Sequence, residues 1–145
     1  MTNKILVIHG PNLNLLGKRE PEFYGSDTLD QINNRLIQFA NQNGFEIQIV
    51  QSNSEGEIID TLHHAIGRVT GVVMNPGAYS HYSYTIYDAV KACSLSVVEV
   101  HLSNVFARDD FRHELVIAPA CKAVISGLGW QGYIVAIKSL LKIDL

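Results

Sequence analysis

Hydrophobic and polar positions along this chain follow two alternating rhythms. Short apolar, β-branched runs at Lys4–His9, Phe45–Gln51, Gly71–Asn75, Ser96–His101 and Ala123–Ser126 read as strands. Between them the period changes to that of a helix. From Thr28 to Asn43 the apolar residues Leu29, Ile32, Leu36, Phe39 and Ala40 recur at spacings of three and four. Thr28 with Gln31 fits a capping box, and Gly44 marks the end of that helix. Ser54 with Glu57 caps a second helix, whose Ile58, Leu62 and Ile66 form one stripe. A third is predicted over Tyr84–Ala92, and a last one runs from beyond Gly127 and Gly129 to about Lys142.

Strands alternating with helices predict a parallel sheet covered on both faces. Right-handed crossovers leave few topologies. The flavodoxin-like order 2-1-3-4-5 follows for five strands, in a three-layer α/β sandwich that forms a single domain over residues 1–145. Ligands in such sheets sit beyond the carboxyl ends of the strands, at the switch point between strands 1 and 3. The polar clusters of this chain fall at those ends. His9–Asn14 follows strand 1, Asn75–His81 follows strand 3, and His101–Asn104 follows strand 4.

One connection breaks the rhythm. Gly10 to Gly25 reads Gly-Pro-Asn-Leu-Asn-Leu-Leu-Gly-Lys-Arg-Glu-Pro-Glu-Phe-Tyr-Gly, far longer than the few residues a strand-to-helix link needs. Its first part, Gly10–Asn14, is expected to floor a site beside strand 1. Lys18–Gly25 is a candidate lid that carries Arg19 and Tyr24.

Composition changes this picture little. Charged residues make up 17% of the chain and apolar ones 47%, which fits either surface buried between subunits or a monomer with an uncharged polar surface. A net charge of −3 argues against a nucleic-acid footprint. No apolar run approaches the roughly 18 residues of a membrane span, and Met1–Lys4 leads straight into a strand without a secretory signal. Cys93 and Cys121 show no metal-ligand spacing and read as ordinary thiols, so a cytoplasmic setting is expected.

The site chemistry narrows by comparison. An FMN phosphate wants a short Ser/Thr/Gly loop, where this chain has Leu15, Leu16 and prolines. A phosphoacceptor domain wants acidic strand ends, where this chain has His9 and Asn75. No serine occupies a G-x-S-x-G elbow. His63 and His64 are adjacent on a helix and do not share a face, so they are structural rather than metal ligands. The closing Gly127–Tyr133 glycine pattern lacks the βαβ unit and acidic residue of a dinucleotide site.

Gly10–Gly25, Asn75–His81 and Glu99–Arg112 together resemble the three signature segments of the type II 3-dehydroquinate dehydratases, and the resemblance spans the whole chain. It implies a flavodoxin-like lyase that removes water in the anti sense from 3-dehydroquinate, through an enolate, to give 3-dehydroshikimate. It implies no metal, no cofactor and no Schiff-base lysine. The same reaction serves the shikimate pathway to aromatic amino acids and quinate breakdown.

Matched motif by motif, the resemblance makes Tyr24 the base, acting as tyrosinate, with Arg19 as its cationic partner and Arg108 as a second. A tyrosine titrates near pH 10 in water, so holding it ionised at neutral pH requires about 4 kcal/mol, within the reach of one or two arginines. His101 becomes the general acid, with Glu99 two residues earlier on the same strand face to orient it. Asn12 would stabilise the enolate oxygen. Asn75, His81, Arg112 and the Leu102–Ser103 turn would bind substrate, the turn through its backbone N–H groups. Asp88 would reach the active site of a neighbouring subunit, in a homododecamer built as a tetramer of trimers. Ser80, Tyr82, Tyr87 and Phe106 depart from the usual family pattern, and Tyr87 beside Asp88 bears on the subunit contact. The reading from a different class is a non-catalytic small-molecule binding module on the same sheet. Arg19, Tyr24 and His101 occurring together argue against it.

Overall fold

A computed structural model describes residues 3–18 and 20–144. It contains one five-stranded sheet: β1 (Lys4–His9), β2 (Glu46–Gln51), β3 (Gly71–Asn75), β4 (Val97–His101) and β5 (Ala123–Ser126). The strands are all parallel and lie in the order β2-β1-β3-β4-β5, as the alternating pattern predicts. The described residues hold five α-helices: α1 (Pro21–Tyr24) and α2 (Leu29–Asn43) between β1 and β2, α3 (Glu55–Ala65) between β2 and β3, α4 (Tyr84–Cys93) between β3 and β4, and α5 (Gln131–Leu141) after β5.

Local signals set the helix ends. Thr28 and Gln31 form the full reciprocal capping box of α2, and Gly44 closes it in the left-handed conformation. The Ser54 side chain accepts from the Glu57 amide at the start of α3, and Ser83 does the same for Ile86 at the start of α4. Two apolar layers sandwich the sheet. Val7, Val73 and Val100 pack against Ile32 and Leu36 of α2 and Ala136 and Ile137 of α5. Leu6, Met74 and Val97 pack against Ile58 and Leu62 of α3 and Ile86 and Val90 of α4. Among the described residues no helix is long and apolar enough to cross a membrane.

The three central strands are buried almost end to end, and their carboxyl ends meet. Gly10 donates its amide to the Asn75 carbonyl at 2.7 Å, which joins the end of β1 to the end of β3. That approach requires glycine. A Cβ at position 10 would stand 2.6 Å from the Pro76 carbonyl carbon.

Below this junction a buried polar chain crosses from helix to helix. His9 is fully buried, with Nε2 2.9 Å from Asn33 Oδ1 and Nδ1 3.1 Å from the Tyr133 hydroxyl. An amide oxygen only accepts, so Nε2 carries the hydrogen and Nδ1 accepts from Tyr133. The Tyr133 oxygen in turn accepts from Asn75 Nδ2 at 3.3 Å. Burial pushes the His9 imidazole from 6.5 down to about 4 and pushes the Tyr133 phenol up, so both stay neutral.

This burial gives stability a pH dependence. Between about 6.5 and 4 the unfolded chain takes up a proton at His9 that the folded chain refuses, so stability is lost as pH falls through that window. The full difference amounts to roughly 3 kcal/mol. Urea unfolding at pH 7 and pH 4.5 is expected to show this loss in the native sequence. His9→Gln, less stable at neutral pH, should show a clearly flatter dependence, and equal slopes would remove His9 as the cause.

Candidate active site

The pocket at the carboxyl ends of β1, β3 and β4 is lined by Asn12, Tyr24, Asn75, His81, His101, Leu102, Ser103, Arg108 and Arg112, together with apolar residues including Leu13, Leu16 and Val105. Nine of the residues singled out in the sequence therefore share one cavity. Glu99 stands behind His101, fully buried. Asp88 is exposed on α4 and does not line the pocket of its own chain. Arg19 lies outside the described residues.

Each wall has its own construction. Asn12 takes the left-handed conformation (φ 70°), which asparagine tolerates better than most residues, and its amide donates to Asn53 Oδ1 at 3.0 Å. Gln51 donates to the Gly10 carbonyl at 3.2 Å, so β2 braces the floor as well. Asn75 accepts from the Gly77 amide at 3.1 Å while its Nδ2 donates to Tyr133, which fixes the orientation of its amide. The His101, Leu102 and Ser103 carbonyls accept from Gly127, Gly129 and Ser126. These bonds tie the Leu102–Ser103 turn to the far edge of the sheet.

His101 is held from its rear. Its Nε2 lies 2.6 Å from Glu99 Oε2, and the Ser80 hydroxyl lies 2.5 Å from the same carboxylate oxygen. The imidazole of His81 stacks on that of His101 at 6.3 Å between centroids. His81 Nδ1 donates to the Glu114 carbonyl at 2.8 Å, leaving Nε2 as an acceptor. Burial, assisted by the neighbouring His101 and Arg112, lowers its basicity against the opposing pull of Glu114 and Glu99.

Tyr24 ends the single turn of α1, and Arg108 grips that turn. The guanidinium donates to the Tyr24 hydroxyl at 2.7 Å and to Ser103 Oγ at 3.4 Å, and pairs with Glu20 at 3.4 Å. It also lies over the Phe23 ring at 4.4 Å. Its side chain is only 6% exposed, so these contacts are shielded from solvent. Arg112 is held more loosely, 3.7 Å from the exposed Asp109.

Sequence reasoning missed three features here. The 10–25 connection holds a helical turn at Pro21–Tyr24, and the segment after β4 forms short 3-10 turns at Val105–Ala107 and Asp110–His113. These turns are too short to display a period. Ser80 was noted only as a departure from the family pattern, yet it touches both Glu99 and His101. Its place one residue before His81 was the available signal.

The fold is a flavodoxin-like α/β sandwich whose strand-end pocket brings together a histidine paired with a carboxyl group and a tyrosine held by an arginine. The family model described as Dehydroquinase class II matches residues 3–141, and the chain belongs to that family. It is 54% identical to the 3-dehydroquinate dehydratase of Pelotomaculum thermopropionicum, over 94% of each chain. It is 55% identical to the enzyme of that name from Halalkalibacterium halodurans, over 95% of each. The crystal structure of type II dehydroquinase from Butyrivibrio crossotus superposes with a TM-score of 0.95 at 45% identity, covering 97% of this chain and 98% of that one.

The grip of Arg108 on α1 has a measurable consequence. A hydrogen bond to a charged donor contributes about 1.5–3 kcal/mol. Arg108→Ala is therefore expected to raise amide hydrogen exchange at Tyr24 and Gly25 by tenfold or more while exchange in β1, β3 and β4 stays unchanged. Unchanged exchange at α1 would show that other contacts hold the turn.

Proposed function

We propose that this chain dehydrates 3-dehydroquinate to 3-dehydroshikimate by acid–base catalysis, with Tyr24 as base and His101 as acid. The observation that carries the reading is the pairing within one pocket of a tyrosine hydroxyl held by Arg108 at 2.7 Å with a histidine held by buried Glu99 at 2.6 Å. Family membership supplies the substrate.

The reaction breaks a C–H bond α to a ketone and a C–O bond to a hydroxyl β to it. The Tyr24 oxygen takes the α proton. The Arg108 guanidinium donates to that oxygen at 2.7 Å and fixes its position in the pocket. Negative charge then builds on the ketone oxygen, near which Asn12 acts, directly or through water. One such donor is typically worth 2.7–4 kcal/mol of transition-state stabilisation. The enolate expels the hydroxyl, which takes a proton from His101 and leaves as water. With Nε2 directed to Glu99, the other ring nitrogen, Nδ1, delivers that proton.

The pocket also suits the substrate's periphery. A carboxylate fits the amides of the Leu102–Ser103 turn and the Asn75 side chain, and ring hydroxyls fit His81 and Arg112. Arg19 is assigned as the cationic partner of Tyr24 by motif alone, with Arg108 as the second. The reaction serves the shikimate pathway to aromatic amino acids in the same way as it would serve quinate breakdown. The assembly is a homododecamer built of trimers, in which Asp88, exposed on α4, completes a neighbour's pocket.

Purified protein mixed with 3-dehydroquinate is expected to show the rising ultraviolet absorbance of a conjugated enone. No rise with correctly folded protein would overturn the assignment. Tyr24→Phe should lower kcat by at least a factor of 10²–10⁴, the usual contribution of a positioned proton-transfer group, with an unchanged circular dichroism spectrum. Substantial residual turnover would remove Tyr24 from its role.

Sharing of Asp88 between subunits is tested by complementation. Tyr24→Phe and Asp88→Asn chains, each impaired alone, should regain a fraction of native activity when co-expressed, because mixed trimers contain pockets with both native residues. Activity no higher than that of the two separate variants would place Asp88 outside the site.

A further inference from the structure

Ser80 is fully buried at the end of the short helical turn Gly77–His81, beneath the acid–base pair rather than in contact with the pocket. Its oxygen is 2.5 Å from Glu99 Oε2 and 3.1 Å from His101 Nε2, and Nε2 is 2.6 Å from the same carboxylate oxygen. These three atoms form a closed triangle with two hydrogens to distribute, one on the serine and one on the imidazole. A carboxylate oxygen only accepts, so both hydrogens point at Oε2. The Ser80 O–H is committed to Glu99, and its lone pairs face the Nε2–H. The other carboxylate oxygen lies 4.0 Å from the Cys121 thiol, its one hydrogen-bonding neighbour among the described residues. Burial and the nearby Glu99 charge push that thiol up to about 12, so it stays protonated and is a weak donor.

Glu99 is fully removed from water, and a buried carboxylate stays ionised only while strong donors satisfy it. Ser80 and His101 are its strong donors among the described residues. Without the serine, the bound pair has an alternative. The Nε2–H bond of the imidazolium breaks, an O–H bond forms on Oε2, and two neutral groups replace the ion pair. The neutral imidazole left behind is a far weaker acid at Nδ1 than the imidazolium.

We infer that Ser80 is a positioning residue for the acid step. Its hydroxyl holds Glu99 as a carboxylate and thereby holds His101 as the imidazolium, with Nε2–H turned to the wall and Nδ1–H turned to the leaving hydroxyl. This role rests on the assignment of His101 as acid. The other groups around the pair come from several elements. His81 stacks on the His101 ring from the same turn as Ser80, Cys121 faces Glu99 from the segment before β5, and Arg108, Arg112 and Tyr24 line the shared pocket.

The test compares native protein with Ser80→Ala and Ser80→Thr in turnover of 3-dehydroquinate across pH 5–10. Ser80→Ala should lower kcat roughly ten- to hundredfold at pH 7, the value of one hydrogen bond to a charged group, with KM within about threefold. Its alkaline limb, where the acid loses its proton, should move to lower pH by about one unit or more. Ser80→Thr, which keeps the hydroxyl, should restore both rate and profile. Should the alanine variant fail to fold, Ser80→Val against Ser80→Thr repeats the comparison at equal side-chain volume, with only the hydroxyl changed. An alkaline limb at the native position in the variant without a hydroxyl overturns the inference, as does a threonine variant as defective as that one. Failure of the native protein to turn over 3-dehydroquinate would instead overturn the proposed function.

Discussion

A carboxylate sealed inside the sheet is the constraint around which this site is built. Glu99 occupies a central strand whose residues are all buried, and its face of β4 otherwise packs on α3 and α4. An ionised group in that position is tolerated only with well-placed donors, and leaving one unpaired would cost several kcal/mol. The fold meets this demand with Ser80 from the turn after β3 and His101 from the strand itself. Two separate segments are thus fixed relative to each other by a single charge. The orientation of His101 follows from that arrangement.

The opposite face of the sheet solves a different problem. Alternation along the strands turns His9 and Asn75 toward α2 and α5, where Tyr133 and Asn33 complete a chain of four neutral groups. Every hydrogen in that chain has one direction, and burial keeps His9 and Tyr133 uncharged. The floor under Asn75 is consequently electrically quiet, while the wall behind His101 places a carboxyl group against an imidazole. The two networks lie on opposite faces, which separates Asn75 from the Glu99–His101 pair. Titrating one of them need not disturb the other.

Much of this could be read from the chain, and the parts that could not have a common cause. Strand runs such as Gly71–Asn75 and the capping residues Thr28, Gln31, Ser54 and Glu57 act within a few positions, so their spacing is visible in one dimension. The convergence of Asn12, Asn75 and His101 followed from topology, because parallel strands place their carboxyl ends on one edge. The contact of Arg108 with Tyr24 spans 84 positions, and motif resemblance rather than spacing suggested it. The stacking of Phe23 on the same guanidinium had no signal at all. Ser80 was visible as a residue but not as a partner, since nothing in a sequence states which buried hydroxyl faces which carboxylate.

The overlong connection after β1 can now be given a physical reason. Gly10–Asn14 is bonded to the ends of β2 and β3 and to Asn53 beyond β2, so it forms the floor beside β1. Pro21–Tyr24 has no buried residue of its own and is held across the pocket mouth through Arg108. A segment with little buried apolar surface and a few strong polar anchors belongs to the low-stability end of a fold, where opening costs least. Tyr24 is therefore carried on a segment without buried residues of its own, and His101 on a strand that is buried throughout. The length of the connection follows from that division: one part is bonded to the sheet edge and the other is held through Arg108.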